Sequence, residues 1–214
     1  MTDNGAPLDV LARFRERRPS PGEKCELCGV NIGDDHSHVV KVESRSLLCT
    51  CRPCYLLFLP GGASGGRYKA VPDRYLSLSS ALSKAQWDAL QIPVNVAFFF
   101  FNSGIDQVVA FYPGPAGATE SLLSLDEWDQ LRESNPVLST LEPDVEAVLV
   151  RAGPSGRERE AGDEPECYIV PIDACYELVG RLRMLWKGFD GGKEANQALD
   201  EFFAGVQGRA RIAS

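Results

Sequence analysis

The chain reads as an α+β protein: a small four-cysteine module followed by a domain with a mainly antiparallel sheet of about four strands. Three observations carry that reading. Cys25 and Cys28, then Cys51 and Cys54, form two close pairs with 22 residues between them. Beyond residue 76 come four apolar runs of strand length, 93–101, 107–112, 145–151 and 167–172. Helical stretches at 78–90, from Ser124 onward, at 174–186 and at 193–206 are expected to lie against one face of that sheet.

The opening segment 8–18 places Leu8, Leu11 and Phe14 at helical spacing with arginines on the other face, which predicts a short amphipathic helix stopped at Pro19. Residues 1–24 are therefore an N-terminal helix and linker, and 25–60 the cysteine module. In that module Cys25-Glu-Leu-Cys28-Gly29 predicts a tight knuckle, 38–43 and 46–49 the strands of a hairpin, and Pro53 the first turn of a helix that starts at the second cysteine pair. Knuckle, hairpin and helix in that order describe a treble-clef finger; a zinc ribbon, with both pairs on knuckles, is the alternative. The glycine-rich stretch inside 61–75 reads as a linker, since it lacks the Lys-Ser/Thr ending of a phosphate-binding loop. Residues 76–214 form the α+β domain.

Two thiols on each of two short turns make a tetrahedral sulfur cage suited to zinc or a single iron. The spacing inside and between the pairs is a strong metal signal. Cys25, Cys28, Cys51 and Cys54 are thus the expected metal ligands, with Zn2+ preferred and iron as the alternative. Four protein ligands leave no open position, so the metal is expected to be structural and no catalytic residue is assigned. Cys49, His36 and His38 lie close in sequence; they are read as a strand residue and as supporting hydrogen-bond partners of the cage, although a mixed ligand set or a second ion stays open. Asp35-His36-Ser37-His38 between cysteine pairs also resembles HNH nucleases, but Tyr55 follows Cys54 where those enzymes commonly carry His or Asn.

With 44% apolar and 9% aromatic residues the chain is expected to be a soluble globule. No apolar run approaches the roughly 20 residues of a membrane helix, and the start lacks a charged-then-apolar signal, so membrane insertion and export are not expected and the cytoplasm is. The net charge of −8 is uneven: 11 Lys and Arg stand against 9 Asp and Glu in residues 1–75, and 11 against 21 in residues 76–214. An acidic body repels phosphate, so a protein partner is expected rather than nucleic acid. Cys167 and Cys175 are expected as buried free thiols, Asp173 as a helix cap, Phe98 to Phe101 as a strand buried on both faces, and Trp128, Trp186 and Phe189 as core or interface residues.

Several segments together resemble a family of uncharacterised bacterial proteins, found especially in actinobacteria and encoded beside uptake NiFe-hydrogenase genes. The residues that carry the resemblance are Cys25-Glu-Leu-Cys-Gly29, Leu48-Cys-Thr-Cys-Arg-Pro-Cys-Tyr-Leu-Leu-Phe58 and Gly66-Arg-Tyr-Lys-Ala-Val-Pro-Asp-Arg-Tyr75. Further along they are Ala85-Gln-Trp-Asp-Ala-Leu-Gln-Ile-Pro93, Ala110-Phe-Tyr-Pro113, Ala116-Gly-Ala-Thr-Glu-Ser121, Cys175-Tyr-Glu-Leu-Val-Gly180 and Gly188-Phe-Asp-Gly-Gly192. The resemblance implies a setting, hydrogenase assembly or electron supply, and no catalytic residue. The expected function is a non-enzymatic accessory or adaptor in NiFe-hydrogenase maturation, partnered by a hydrogenase subunit or maturation factor. A rubredoxin-like iron electron carrier and a degenerate HNH-like nuclease are the alternatives.

Overall fold

The computed structural model describes residues 22–59, 63–78, 82–114, 117–123, 128, 132–133, 135–153, 164–187 and 191–213. The expected helix at 8–18, the residues from Ser124 to 127 and most of the charged loop after residue 153 lie outside that set. The first unit is a three-stranded antiparallel sheet, β1 (Ser37–Lys41), β2 (Ser46–Thr50) and β3 (Tyr68–Ala70), in the order β2-β1-β3. The central strand pairs Val39 with Leu48 on one side and with Ala70 on the other, and Val39 packs on Tyr55 from helix α1 (Arg52–Leu56). Pro53 sits in the first turn of α1, where its missing N–H is no loss. The strand β3 lies within the glycine-rich span 61–75.

The second sheet has seven strands where about four were expected. Its order is β10-β4-β9-β8-β5-β6-β7, with β4 (Leu76–Leu78), β5 (Val96–Asn102), β6 (Gln107–Gly114), β7 (Gly117–Leu123), β8 (Glu146–Arg151), β9 (Glu166–Pro171) and β10 (Arg211–Ile212). All pairs are antiparallel except β10 with β4. The four expected strands are its contiguous centre, β9-β8-β5-β6. The three missed strands occupy the flanks, where backbone pairing suffices and apolar alternation is weak. β7 carries the small and polar sequence GATESLL, and β4 and β10 are too short to display a period. β4 also takes the first residue of the helix expected at 78–90. That helix is confined to α2 (Lys84–Ala89), opened by a capping box in which Ser83 and Gln86 satisfy one another's backbone amides.

Helices cover both faces of this sheet, not one. On the first face Phe98, Phe100, Val109, Leu149 and Val170 pack beneath α3 (Ile172–Leu185) and α4 (Gly192–Arg209), through Cys175, Leu178, Leu182, Leu199 and Phe203. On the second, Phe99, Val108, Val148 and Ile169 pack against Trp87 of α2, Trp128 and Leu138 of a short 3₁₀ turn. Successive strand residues point to opposite faces, so a sheet covered twice demands continuous apolar runs. This explains Phe98, Phe99 and Phe100, each 2% exposed.

The small sheet rests on the large one. Val40 and Val71 belong to the same apolar cluster as α3 and α4. Arg74 donates Nε to Glu146 Oε1 at 2.7 Å and Nη2 to Oε2 at 2.5 Å, and Lys69 Nζ donates to Asp144 Oδ2 at 2.6 Å. Glu146 is fully buried, so its charge depends on this two-pronged contact.

Candidate metal centre

The knuckle is closed by two backbone bonds, Cys25 N–H to Val30 O and Gly29 N–H to Cys25 O, each 2.8 Å. Gly29 stands at φ 76°, a conformation a side chain disfavours. Glu26 fastens the knuckle to β2: its amide donates to Cys49 O at 2.9 Å and its carboxylate accepts from the Cys49 amide at 2.6 Å. The second pair lies where β2 ends, Cys51 as the N-cap of α1 and Cys54 in its first turn. The two turns thereby converge.

All four sulfurs lie within 4.8 Å of one another, and Cys28 Sγ stands 3.6 Å from Cys51 Sγ. Zinc–sulfur bonds of about 2.3 Å imply edges of about 3.8 Å in a regular tetrahedron, whereas a disulfide would need about 2.05 Å. The set therefore has the dimensions of a metal cage, and its cysteines are free. Burial raises the Cys25 thiol, but amides of Cys51, Cys28 and Leu27 outweigh it and bring the group down to about 6. Cys54 is pushed up to about 12, first by the Cys51 thiol, then by burial and the remaining thiols. The backbone thus welcomes one thiolate while the cluster resists four. A cation at its centre would resolve that repulsion, and the donor set fits zinc or iron.

Beside the cage, His36, His38 and Cys49 bring one donor atom each within 4.8 Å of one another. His36 Nδ1 lies 2.8 Å from Gly33 O and His38 Nδ1 lies 2.8 Å from Asp173 Oδ2. Neither acceptor carries a hydrogen, so both rings must hold their proton on Nδ1. Burial, then the charges of Glu23 and Glu26, raises the Cys49 thiol. Both histidines and Asp173 line a cleft of about 930 Å³ between the small sheet and α3.

The family model described as "Family of unknown function (DUF5947)" matches residues 24–210. The chain belongs to this DUF5947 family. No curated protein and no solved structure matches it. The matched span runs from the residue before Cys25 to just beyond α4, so the cage and every strand of the large sheet except β10 lie within one family unit.

In this DUF5947 chain Cys25, Cys28, Cys51 and Cys54 come together as the sequence predicts, but the histidines do not serve the cage. Their Nδ1 atoms turn instead to Gly33 and to Asp173, 135 residues away from His38. Asp173 was expected only as a cap, but the N-cap of α3 is Pro171 and Asp173 lies in the first turn, where Oδ1 accepts the Ala174 amide at 2.8 Å and Oδ2 holds His38. Its place at the start of a helix gave no hint of that, because the partner comes from the small sheet. Glu26, unassigned from sequence, is the other residue the fold reveals. Cys167 and Cys175 are buried free thiols, as expected.

Proposed function

We propose that this chain is a zinc-binding, non-enzymatic accessory protein, with its treble-clef-like module presented to a protein partner during NiFe-hydrogenase maturation. The closed cage of four thiols carries the zinc reading: four protein donors stabilise a small segment and leave no place for substrate. Support for a protein partner comes from the apolar surface. Of the large apolar side chains exposed among the described residues, Leu27, Val30, Leu56, Leu57 and Leu59 belong to the module and three lie elsewhere. They sit on the knuckle and on and after α1, the two elements that supply the cage, so the metal would hold this surface in shape. The hydrogenase setting rests on the resemblance of segments between residues 25 and 192.

Elemental analysis and an optical spectrum of natively purified protein test the metal. Colourless, zinc-loaded protein is expected; red protein with ferric tetrathiolate absorption would replace this reading with an electron carrier. Deleting the gene in its host tests the setting. Reduced hydrogenase activity with incompletely processed subunits is expected, and normal activity with normal processing would overturn the maturation role.

A further inference from the structure

We infer that His36, His38 and Cys49 form a second metal site, distinct from the cage, which takes a divalent transition ion of the zinc, cobalt or nickel class. This goes beyond the accessory reading and does not rest on it. Imidazole nitrogen and thiolate suit ions of borderline softness, and three such donors lie within 4.8 Å of one another. Proximity alone would be weak. Ring orientation adds to it: with Nδ1–H spent on Gly33 O and on Asp173, each ring keeps its lone pair on Nε2. A carboxylate behind one histidine and a backbone carbonyl behind the other is the support that metal-bound imidazoles take.

The independent observation is His36 Nε2. This nitrogen is buried and has no hydrogen-bond partner among the described residues, on a side chain only 9% exposed. A buried lone pair left without a partner is unfavourable, and a metal ion would satisfy it. Three protein donors, unlike four, leave a coordination position for water or for a donor entering the cleft that both histidines line. An ion held so would exchange more readily than one enclosed by four thiolates.

Full-length protein, stripped of metal under reducing conditions and titrated with Co2+ under optical detection, tests the site. Two equivalents are expected. Cys25→Ser is expected to abolish the tetrathiolate spectrum and leave one equivalent; His36→Gln, His38→Gln and Cys49→Ser are each expected to lose the other equivalent and keep that spectrum. Asp173→Asn should retain both equivalents and bind the second about 10- to 100-fold more weakly, the usual effect of losing such support. One equivalent in the wild-type chain, bound with the tetrathiolate spectrum, would overturn the inference even if every histidine variant failed to fold. Two equivalents undiminished in folded His36→Gln and Cys49→Ser would overturn it too. A single equivalent lost on Cys49→Ser but not on Cys25→Ser would instead remove the cage and leave this site standing.

Discussion

Surroundings separate the cage cysteines from Cys167. Those of the cage stand among amides and other thiols, whereas Cys167 is held neutral by burial, which pushes it up to about 12, and Tyr75 is raised to about 12 for the same reason. Below the ordinary cysteine value of 9.0 the folded and unfolded chains both keep the Cys167 proton, so pH has no leverage there. Above it the unfolded chain releases a proton that the folded one retains, and stability falls as pH rises towards 12. Urea midpoints measured from pH 8 to pH 11 are expected to decline, with a slope shallower by up to one proton in Cys167→Ala. At neutral pH, Cys167 and Cys175 are expected to resist alkylation until the protein is denatured, since the thiolate is the nucleophile and both groups are buried. Within the cage a bound metal would take the place of the thiol protons. At 1,000-fold excess over its dissociation constant a metal bound only by the folded chain contributes about 4 kcal/mol, which in a chain of this size shifts the melting midpoint by about 8–16 °C. Adding a strong chelator should lower the midpoint by that amount, and Cys54→Ser should lower it similarly without chelator.

Elements with strong local signals were legible in the sequence: the knuckle with Gly29, the hairpin, the proline-opened helix and the four central strands. What was not legible depends on pairing over distance. β7 and β4 owe their extended form to β6 and β9, whose backbones they complete, and Arg74, sitting in a span that composition marks as linker, meets Glu146 72 residues away. In the same way two histidines between cysteine pairs looked like helpers of the cage, because nothing local announces Asp173. The Arg74 contact has a measurable consequence. Removing the guanidinium strands a fully buried carboxylate, and Arg74→Met is expected to cost about 3 kcal/mol, the lower end of the range for breaking a buried pair because Arg74 itself is 35% exposed. Glu142 still donates its amide to Glu146 at 2.9 Å, which does not neutralise the charge. The double variant Arg74→Met/Glu146→Met should recover most of the loss in urea denaturation; a double variant as unstable as the single one would show that the contact does not work through charge.

At the scale of the whole molecule, an acidic body supports a near-neutral module whose exposed leucines flank the four clustered thiols. Stability and partner recognition are then separable by substitution. Leu27 and Leu57 are 39% and 55% exposed, so replacing them by aspartate removes little buried area from the fold, whereas a partner that covers them would have to bury two charges. Leu27→Asp/Leu57→Asp is therefore expected to keep its metal content and melting midpoint and, if the proposed protein partner binds here, to lose the capture in a pull-down that the wild-type chain is expected to give. Chelation makes the complementary test. Since Val40 and Val71 share an apolar cluster with α3 and α4, the module should not melt alone. Near-ultraviolet and far-ultraviolet transitions of the chelated protein should coincide at one lowered midpoint. An early transition confined to the module would mean that the two sheets are coupled too weakly for the cage to govern the body, and the partner surface would then depend on metal while the fold beneath it did not.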